Sequence, residues 1–471
     1  MTNAKRIQAL IAIGISVFMG TLDGSIVNVA LPTMARELHV SLAQITWVVT
    51  VYLIMISAIV LMFGRLGDLL GKARIFKIGA IIFSVGSLLA GLDFGFGLYY
   101  LLIARVIQAV GASMFMATSF GLVSEIFPIE SRARALSINS MFVSVGSIAG
   151  PALGGLILQV TSWNWIFFIN VPIGLFSYFL AQAVLPKTKG QGSTKDLDNQ
   201  GSLFMFLAIV GLFLALNYGT DAGWTSPIVI VAALVGLVFL VLFIRTENRK
   251  EKPLIDLAIF KTRLFSMSVL TATLNFTAAM FVSILFPFYL QDYRGMGPGI
   301  AGIIMMAYPV AMLISSPIAG ILADRHNKEW ITFIGISGII LAQVGYLLID
   351  SGSPIWAVIV ALALHGASVG FFQSPNNALV MSTVERKYLG VAGSVNSLAR
   401  NIAFVLGTSL ATITLFFAMS RIAGTTIKTY VASQPSLFLQ GMHIAFFLAL
   451  AITVVTWILG LVRLVGKQKV V

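Results

Sequence analysis

The sequence has no cysteine, few charges and hardly any extended polar stretch. Without cysteine there is no disulfide framework, no thiolate nucleophile and no zinc–thiolate site. Charged residues make up 10% of the chain, 30 of them Lys or Arg and 17 Asp or Glu, where a soluble domain carries about 25%. No G-x-x-x-x-G-K-[ST] segment occurs, which argues against nucleotide-driven work. The apolar runs hold no H-x-x-x-H pair, carboxylate pair or Ser/His/Asp set, so an embedded enzyme lacks support, and no cofactor or metal is expected.

What the sequence has instead is apolar: 58% hydrophobic residues and a mean hydropathy of +0.97. A soluble core could not absorb this much without exposing large sticky patches. The net charge of +13 would suggest nucleic acid in a soluble protein. In a membrane protein it reads as loop cations that set topology and meet anionic lipid, with no nucleic-acid partner. The first apolar run, roughly 7–31, is too long for a signal-peptide core, contains Asp23 and lacks an A-x-A site.

A membrane span needs about 20 apolar residues. The runs predict fourteen, at roughly 7–31, 44–63, 75–92, 98–124, 135–160, 165–185, 201–219, 226–244, 265–291, 298–322, 330–349, 354–375, 390–419 and 441–462. With both termini in the cytoplasm, the cytoplasmic segments hold 24 of the 30 Lys and Arg residues. The other side holds Arg36, Arg294, Arg421 and Lys428, while Arg105 and Arg400 lie inside spans. That bias is what the positive-inside rule requires, and one missing span would scramble it.

Gly64-Arg-Leu-Gly-Asp68 follows span two and Gly320-Ile-Leu-Ala-Asp324 follows span ten, both expected on cytoplasmic loops. The repeated G-x-x-x-D pattern implies two related six-span halves. The expected organisation is a six-helix bundle over 1–186, two inserted helices with their linkers over 187–250, and a second six-helix bundle over 251–471. The fold class is an all-α membrane protein with fourteen transmembrane helices.

Five motifs in order resemble the major facilitator superfamily, specifically its fourteen-span drug:proton antiporter subfamily. Leu22-Asp23-Gly-Ser-Ile-Val-Asn28-Val-Ala-Leu-Pro32 resembles the subfamily's span-one signature, with Ser25 where Thr is usual. Gly64 to Arg74 resembles the loop motif G-x-L-a-D-r-x-G-r-k-x, departing at Leu69 and Ala73. Arg105-Val-Ile-Gln108 resembles R-x-x-Q-G, with Ala109 for the glycine. Gly146-Ser-Ile-Ala-Gly150-Pro151-Ala-Leu-Gly154-Gly155 is similar to the antiporter motif G-x-x-x-G-P-x-x-G-G throughout. Trp163-Asn-Trp165-Ile-Phe-Phe-Ile-Asn170-Val-Pro172-Ile-Gly174 resembles W-R-W-I-F-x-I-N-x-P-x-G, with Asn164 for Arg.

Asp23 is the one carboxylate well inside an apolar run. A charge at that depth costs at least about 2.5–3.5 kcal/mol on insertion scales, which makes it a functional candidate by default. Asp23 lies about 12 Å below the outer end of span one and Arg105 about 10 Å below that of span four, at 1.5 Å per residue. The resemblance places both helices beside a central cavity. Burial opposes the charged form of Asp23 and a nearby guanidinium favours it, so the pair could couple protons. The alternative is a permanent strut between two spans.

Asn28, Gln108, Asn139, Asn275, His365 and Gln373 are polar residues that could line the path with Asp23. A lone His365 is more often a satisfied core histidine than a proton relay. The resemblance assigns gating to Gly64, Asp68, Arg74, Arg132 and Asp324, with Asp68 facing a helix N-terminus near Gly390 of the other half and Arg132 and Arg134 as its partners. It also implies that Gly146, Gly150, Pro151, Gly154 and Gly155 pack span five against the opposite half and govern export direction. The implied function is proton-coupled export of apolar, cationic or zwitterionic drugs by alternating access; the alternative is export of an endogenous metabolite, lipid or siderophore. The expected partners are the small-molecule substrate, protons and the bilayer. The expected protein is a monomer in the bacterial cytoplasmic membrane.

Overall fold

The computed structural model describes residues 2–92, 95–186, 197–250, 254, 257–382, 389–427, 430 and 434–468. Among these the regular elements are helices. They begin with α1 (Asn3–Glu37), α2 (Leu42–Ile45), α3 (Trp47–Leu70), α4 (Lys72–Gly91), α5 (Gly97–Ile126) and α6 (Ile129–Val160). Next come α7 (Trp165–Phe168), α8 (Asn170–Val184), α9 (Asn199–Ala222) and α10 (Pro227–Glu247). The remainder are α11 (Arg263–Phe288), α12 (Pro298–Met305), α13 (Ala307–Arg325), α14 (Lys328–Leu347), α15 (Ile355–Ser382), α16 (Leu389–Ala423) and α17 (Pro435–Gln468). Thirteen helices among the described residues are long and apolar enough to cross a membrane. The fifth expected span coincides with α6, a helix of 32 residues.

The boundaries follow local chemistry. Thr2 caps α1 by accepting from the Lys5 amide, and Asp198 caps α9 by accepting from the Gly201 amide. Pro227 and Pro298 sit in the first turns of α10 and α12, where the missing N–H costs nothing. Gly71 separates α3 from α4 with φ of 100°, a conformation that a side chain would strain. Pro287 falls at the end of α11, which runs into a π-helical turn over Tyr289–Tyr293.

The chain divides into two compact units: one spans Met1–Val40 and Gln44–Asp256, the other Ser41–Ala43 and Leu257–Val471. The inserted pair α9–α10 packs on itself and on α3, within the first unit. Its ends are tied by an ion pair between Lys250 and Asp198. Within the first unit α3 and α4 pack on α5, and α1 packs on α6. Within the second, α13 and α14 pack on α15, and α11 packs on α16. The same pairing pattern thus occurs twice.

Glycines bring the first unit's helices close, and so set its interior. A Cβ at Gly86 of α4 would lie 2.5 Å from the Gln108 amide nitrogen of α5, and one at Gly79 would lie 2.8 Å from the Gly111 carbonyl. Small residues at such contacts let backbones approach where apolar burial gives no drive between helices in lipid. On the other side, Gly146, Gly150 and Gly154 of α6 meet Phe18, Thr21, Ser25 and Ile26 of α1. The Ser25 hydroxyl donates to the Gly146 carbonyl at 3.2 Å.

Candidate functional site

The close approach of α6 fixes one turn of α1, and Asp23 lies on it. Its carboxylate is fully buried. Oδ2 accepts from Arg105 Nη1 at 2.6 Å. Oδ1 accepts from Gln108 Nε2 at 2.8 Å and from Asn170 Nδ2 at 2.9 Å. Arg105, also fully buried, donates from Nε to the Val48 carbonyl at 3.0 Å and from Nη1 to Gln108 Oε1. Its guanidinium carbon lies 4.0 Å from the centre of the Tyr52 ring. Gln108 Nε2 reaches Ser87 Oγ at 2.8 Å. Five helices therefore meet at one ion pair: α1, α3, α4, α5 and α8.

An ion pair taken wholly out of water needs its remaining hydrogen-bonding capacity filled, because desolvation otherwise outweighs attraction. Here one carboxylate accepts three donors and the guanidinium adds a carbonyl, an amide oxygen and an aromatic face, while Arg105 Nη2 and Asn170 Oδ1 have no hydrogen-bond partner among the described residues. Asp23, Arg105 and Gln108 were legible as candidates. Tyr52, Ser87 and Asn170 were not, although Asn170 stands out as an amide at the start of an otherwise apolar helix. Asn28 is buried on α1.

The other expected path residues fall elsewhere. Asn139 of α6 and Asn275 of α11 are buried, and neither amide has a hydrogen-bond partner among the described residues. His365 of α15 is buried in the second unit, with Nδ1 3.1 Å from the Tyr346 hydroxyl. Gln373 is half-buried on α15.

The gating expectations change in three respects. Gly64 to Asp68 and Gly320 to Asp324 form the last turns of α3 and α13 rather than loops, because nothing in either run breaks a helix before Gly71 or Arg325. Asp68 pairs one turn ahead with Lys72 at 2.7 Å, and Lys72 also bonds Glu125 of α5. The side chains of Arg132, Arg134 and Asp324, and those around Gly390 at the start of α16, lie outside the described residues, and Arg74 is exposed. Gly146, Gly150 and Gly154 turn their missing Cβ positions toward α1 of their own half, where the resemblance implied the opposite half. Pro151 and Gly155 are buried beside them.

The sequence reading missed a second buried cation. The expected span fourteen ends at 462 and leaves Arg463 in the tail, yet α17 continues to Gln468. It is 4% exposed and donates to Ser268 Oγ at 3.2 Å and Asn376 Oδ1 at 3.0 Å. Arg400 is half-buried on α16.

The chain matches the Major Facilitator Superfamily over residues 13–202 and 200–408. It belongs to that superfamily. A riboflavin transporter of Clostridioides difficile, RibZ, is 37% identical over 424 residues, covering 90% of this chain and 91% of that one. Multidrug resistance protein Stp of Mycobacterium tuberculosis is 30% identical over 406 residues, covering 86% and 75%. Multidrug export protein EmrB of Escherichia coli is 29% identical over 423 residues, covering 88% and 80%. Among solved structures, a bacterial homologue of the human lysosomal transporter Spinster shares the fold, with a TM-score of 0.67 at 15% identity over 98% of this chain and 97% of that one. The superfamily consists of membrane transporters, so the buried node belongs to a multi-pass carrier and not to an enzyme.

Proposed function

We propose that this chain is a proton-coupled antiporter that exports apolar, cationic or zwitterionic compounds by alternating access, with Asp23 carrying the proton. The observation that supports this reading is the way Arg105 is held. When Asp23 takes up a proton, the guanidinium loses its counter-charge. Removing one partner of a buried pair ordinarily costs about 3–5 kcal/mol. Arg105 retains the Val48 carbonyl, Gln108 Oε1 and the Tyr52 face. It thus keeps partners in both protonation states of Asp23, a property that a carrier needs and a permanent strut does not.

The orientation in this reading has both termini on the cytoplasmic side of a bacterial cytoplasmic membrane, with the chain acting as a monomer. Asn28, Gln108, Asn139, Asn275, His365 and Gln373 serve the substrate path. Gly64, Asp68, Arg74, Arg132, Asp324 and the Gly146–Gly155 run serve gating. Exchange of one proton for one monovalent cation is electroneutral, so the pH gradient alone drives it, at about 1.36 kcal/mol per pH unit. A neutral or zwitterionic compound also exploits the voltage, at about 2.3 kcal/mol per 100 mV. The multidrug names of two relatives favour drug-like cargo. The riboflavin transporter, at 37% identity over 90% of the chain, favours a second reading in which the cargo is a metabolite and the coupling is the same.

The test is uptake into inverted vesicles under an imposed pH gradient, acid inside, with ethidium and riboflavin as probes. Asp23→Asn should lose gradient-driven movement while the protein stays folded. Undiminished transport by that variant would remove Asp23 from the coupling. Movement of riboflavin but not ethidium would select the metabolite reading.

A further inference from the structure

The two units can be put in register by their glycine contacts. Gly64 of α3 faces Ala117 of α5, and Gly320 of α13 faces Ser374 of α15. Gly79 of α4 faces the Gly111 carbonyl and the Phe115 amide of α5; Gly335 of α14 faces the Ser368 carbonyl and the Phe372 amide of α15. Both contacts give a shift of 256 for α3 and α4 onto α13 and α14, and of 257 for α5 onto α15. In this register Tyr52 corresponds to Tyr308, Ser87 to Gln343, Gln108 to His365 and Arg105 to Leu362.

The second unit therefore repeats the uncharged part of the Asp23 node and omits the ion pair. The α11 helix contains no carboxylate and α15 no charged residue. The Tyr308 ring stands edge-on to the His365 imidazole with centres 5.2 Å apart, and Tyr346 bonds His365 Nδ1. Gln343 lies one turn before Tyr346 on α14 and is 1% exposed; His365 is 0% exposed. His365 Nε2 and both amide atoms of Gln343 have no hydrogen-bond partner among the described residues. In the first unit the corresponding pair, Ser87 and Gln108, is hydrogen-bonded directly. Buried polar atoms in folded proteins nearly always have a protein or water partner.

We propose that His365 and Gln343, backed by Tyr346, form a binding site for one neutral hydrogen-bonding group of hydroxyl, carbonyl or water size. An ionised ligand is excluded by the surroundings: Tyr308 faces the imidazole from α13 and Tyr346 from α14, while α11 and α15 bring no opposite charge. With Nδ1 on the Tyr346 hydroxyl, the imidazole offers Nε2 as donor or acceptor according to tautomer, and the carboxamide offers one of each. The occupant is either an internal water or a polar substituent of the transported compound; only the second rests on the export reading.

Thermal unfolding of the purified full-length protein tests the site without relying on transport. Gln343→Leu and His365→Leu should each lower Tm by about 2 °C or more, because the bound group loses a partner. His365→Gln, which installs the residue found at Gln108, should keep most of the stability. An unchanged or higher Tm for Gln343→Leu would overturn the proposal, since deleting an amide that binds nothing relieves a desolvation cost. Where Tm falls as expected, transport in inverted vesicles assigns the occupant. A riboflavin KM raised about tenfold by His365→Leu supports a substrate group. Unchanged KM values for both probes support water. A shift of the pH profile of transport in His365→Gln would overturn the neutrality of the site. If the wild type exports neither probe, the export reading for these compounds fails, while the thermal comparison still decides the site.

Discussion

The interior of the first unit is organised around an ion pair, whereas the corresponding interior of the second is organised around an imidazole, two phenols and a carboxamide. The helix frame is the same in both, with α3, α4 and α5 matched by α13, α14 and α15. What differs is the side chain at a few positions: Arg105 against Leu362, and Gln108 against His365. A charged interior can exchange a proton but must be over-satisfied to persist in a dry bundle. A neutral interior can recognise a ligand without titrating. Under the two proposals above, the two copies of one frame divide proton coupling and neutral hydrogen bonding between them.

The largest test of this contrast is Arg105→Leu, which installs the residue of the second unit in the first. It leaves Asp23 as an uncompensated buried charge and should destabilise the protein by about 3–5 kcal/mol, read as loss of folded yield and Tm. Adding Asp23→Asn to that variant should restore most of the loss, which a double-mutant cycle measures. A smaller effect is expected from Gly111→Val. A Cβ there would lie 2.7 Å from the Phe83 Cα, forcing α4 and α5 apart and lowering Tm by several degrees. At the matching position Ser368 already carries a side chain, and Ser368→Ala should change Tm little.

Smaller still is the contrast between two tyrosines. The Tyr346 hydroxyl bonds His365, so Tyr346→Phe should cost about 1 kcal/mol. The Tyr52 hydroxyl has no partner among the described residues, so Tyr52→Phe should cost almost nothing and leave the aromatic face for Arg105. The smallest effect lies outside the spans. In the α14–α15 turn, the Ser353 hydroxyl and Gly352 amide hold the Asp350 carboxyl below its ordinary range. With the folded value the lower one, this contribution is present above the ordinary carboxylate range and is lost as pH falls through the folded value. Exchange of the Gly352 amide should accelerate in acid, relative to its intrinsic rate, for the wild type and show no such step in Asp350→Asn.

Much of this was legible because charge is scarce. In a chain so apolar, Asp23 and Arg105 stand out singly, and counting residues along two helices already placed them at similar depth. The motif pattern and the repeated G-x-x-x-D segments point to two related halves. Tertiary partners were not legible, because Tyr52 and Ser87 are ordinary residues whose role comes only from which helices touch, and the motif around Asn170 carries no sign of its partner. For Asp68 the loop expectation fails, because the helix runs on through it and places Lys72 one turn away. Arg463 was read as a tail charge, since hydropathy falls before the helix ends. The register between the halves emerged only from glycine contacts, as the two sequences have diverged around them.

In the proposed cycle Asp23 exchanges a proton against substrate. The most direct measurement is proton release, followed with a pH-sensitive dye, when an exported compound is added to the purified protein in weak buffer. About one proton per protein is expected from the wild type and none from Asp23→Asn. Equal release from both proteins would contradict the account and leave Asp23 and Arg105 as a strut between α1 and α5.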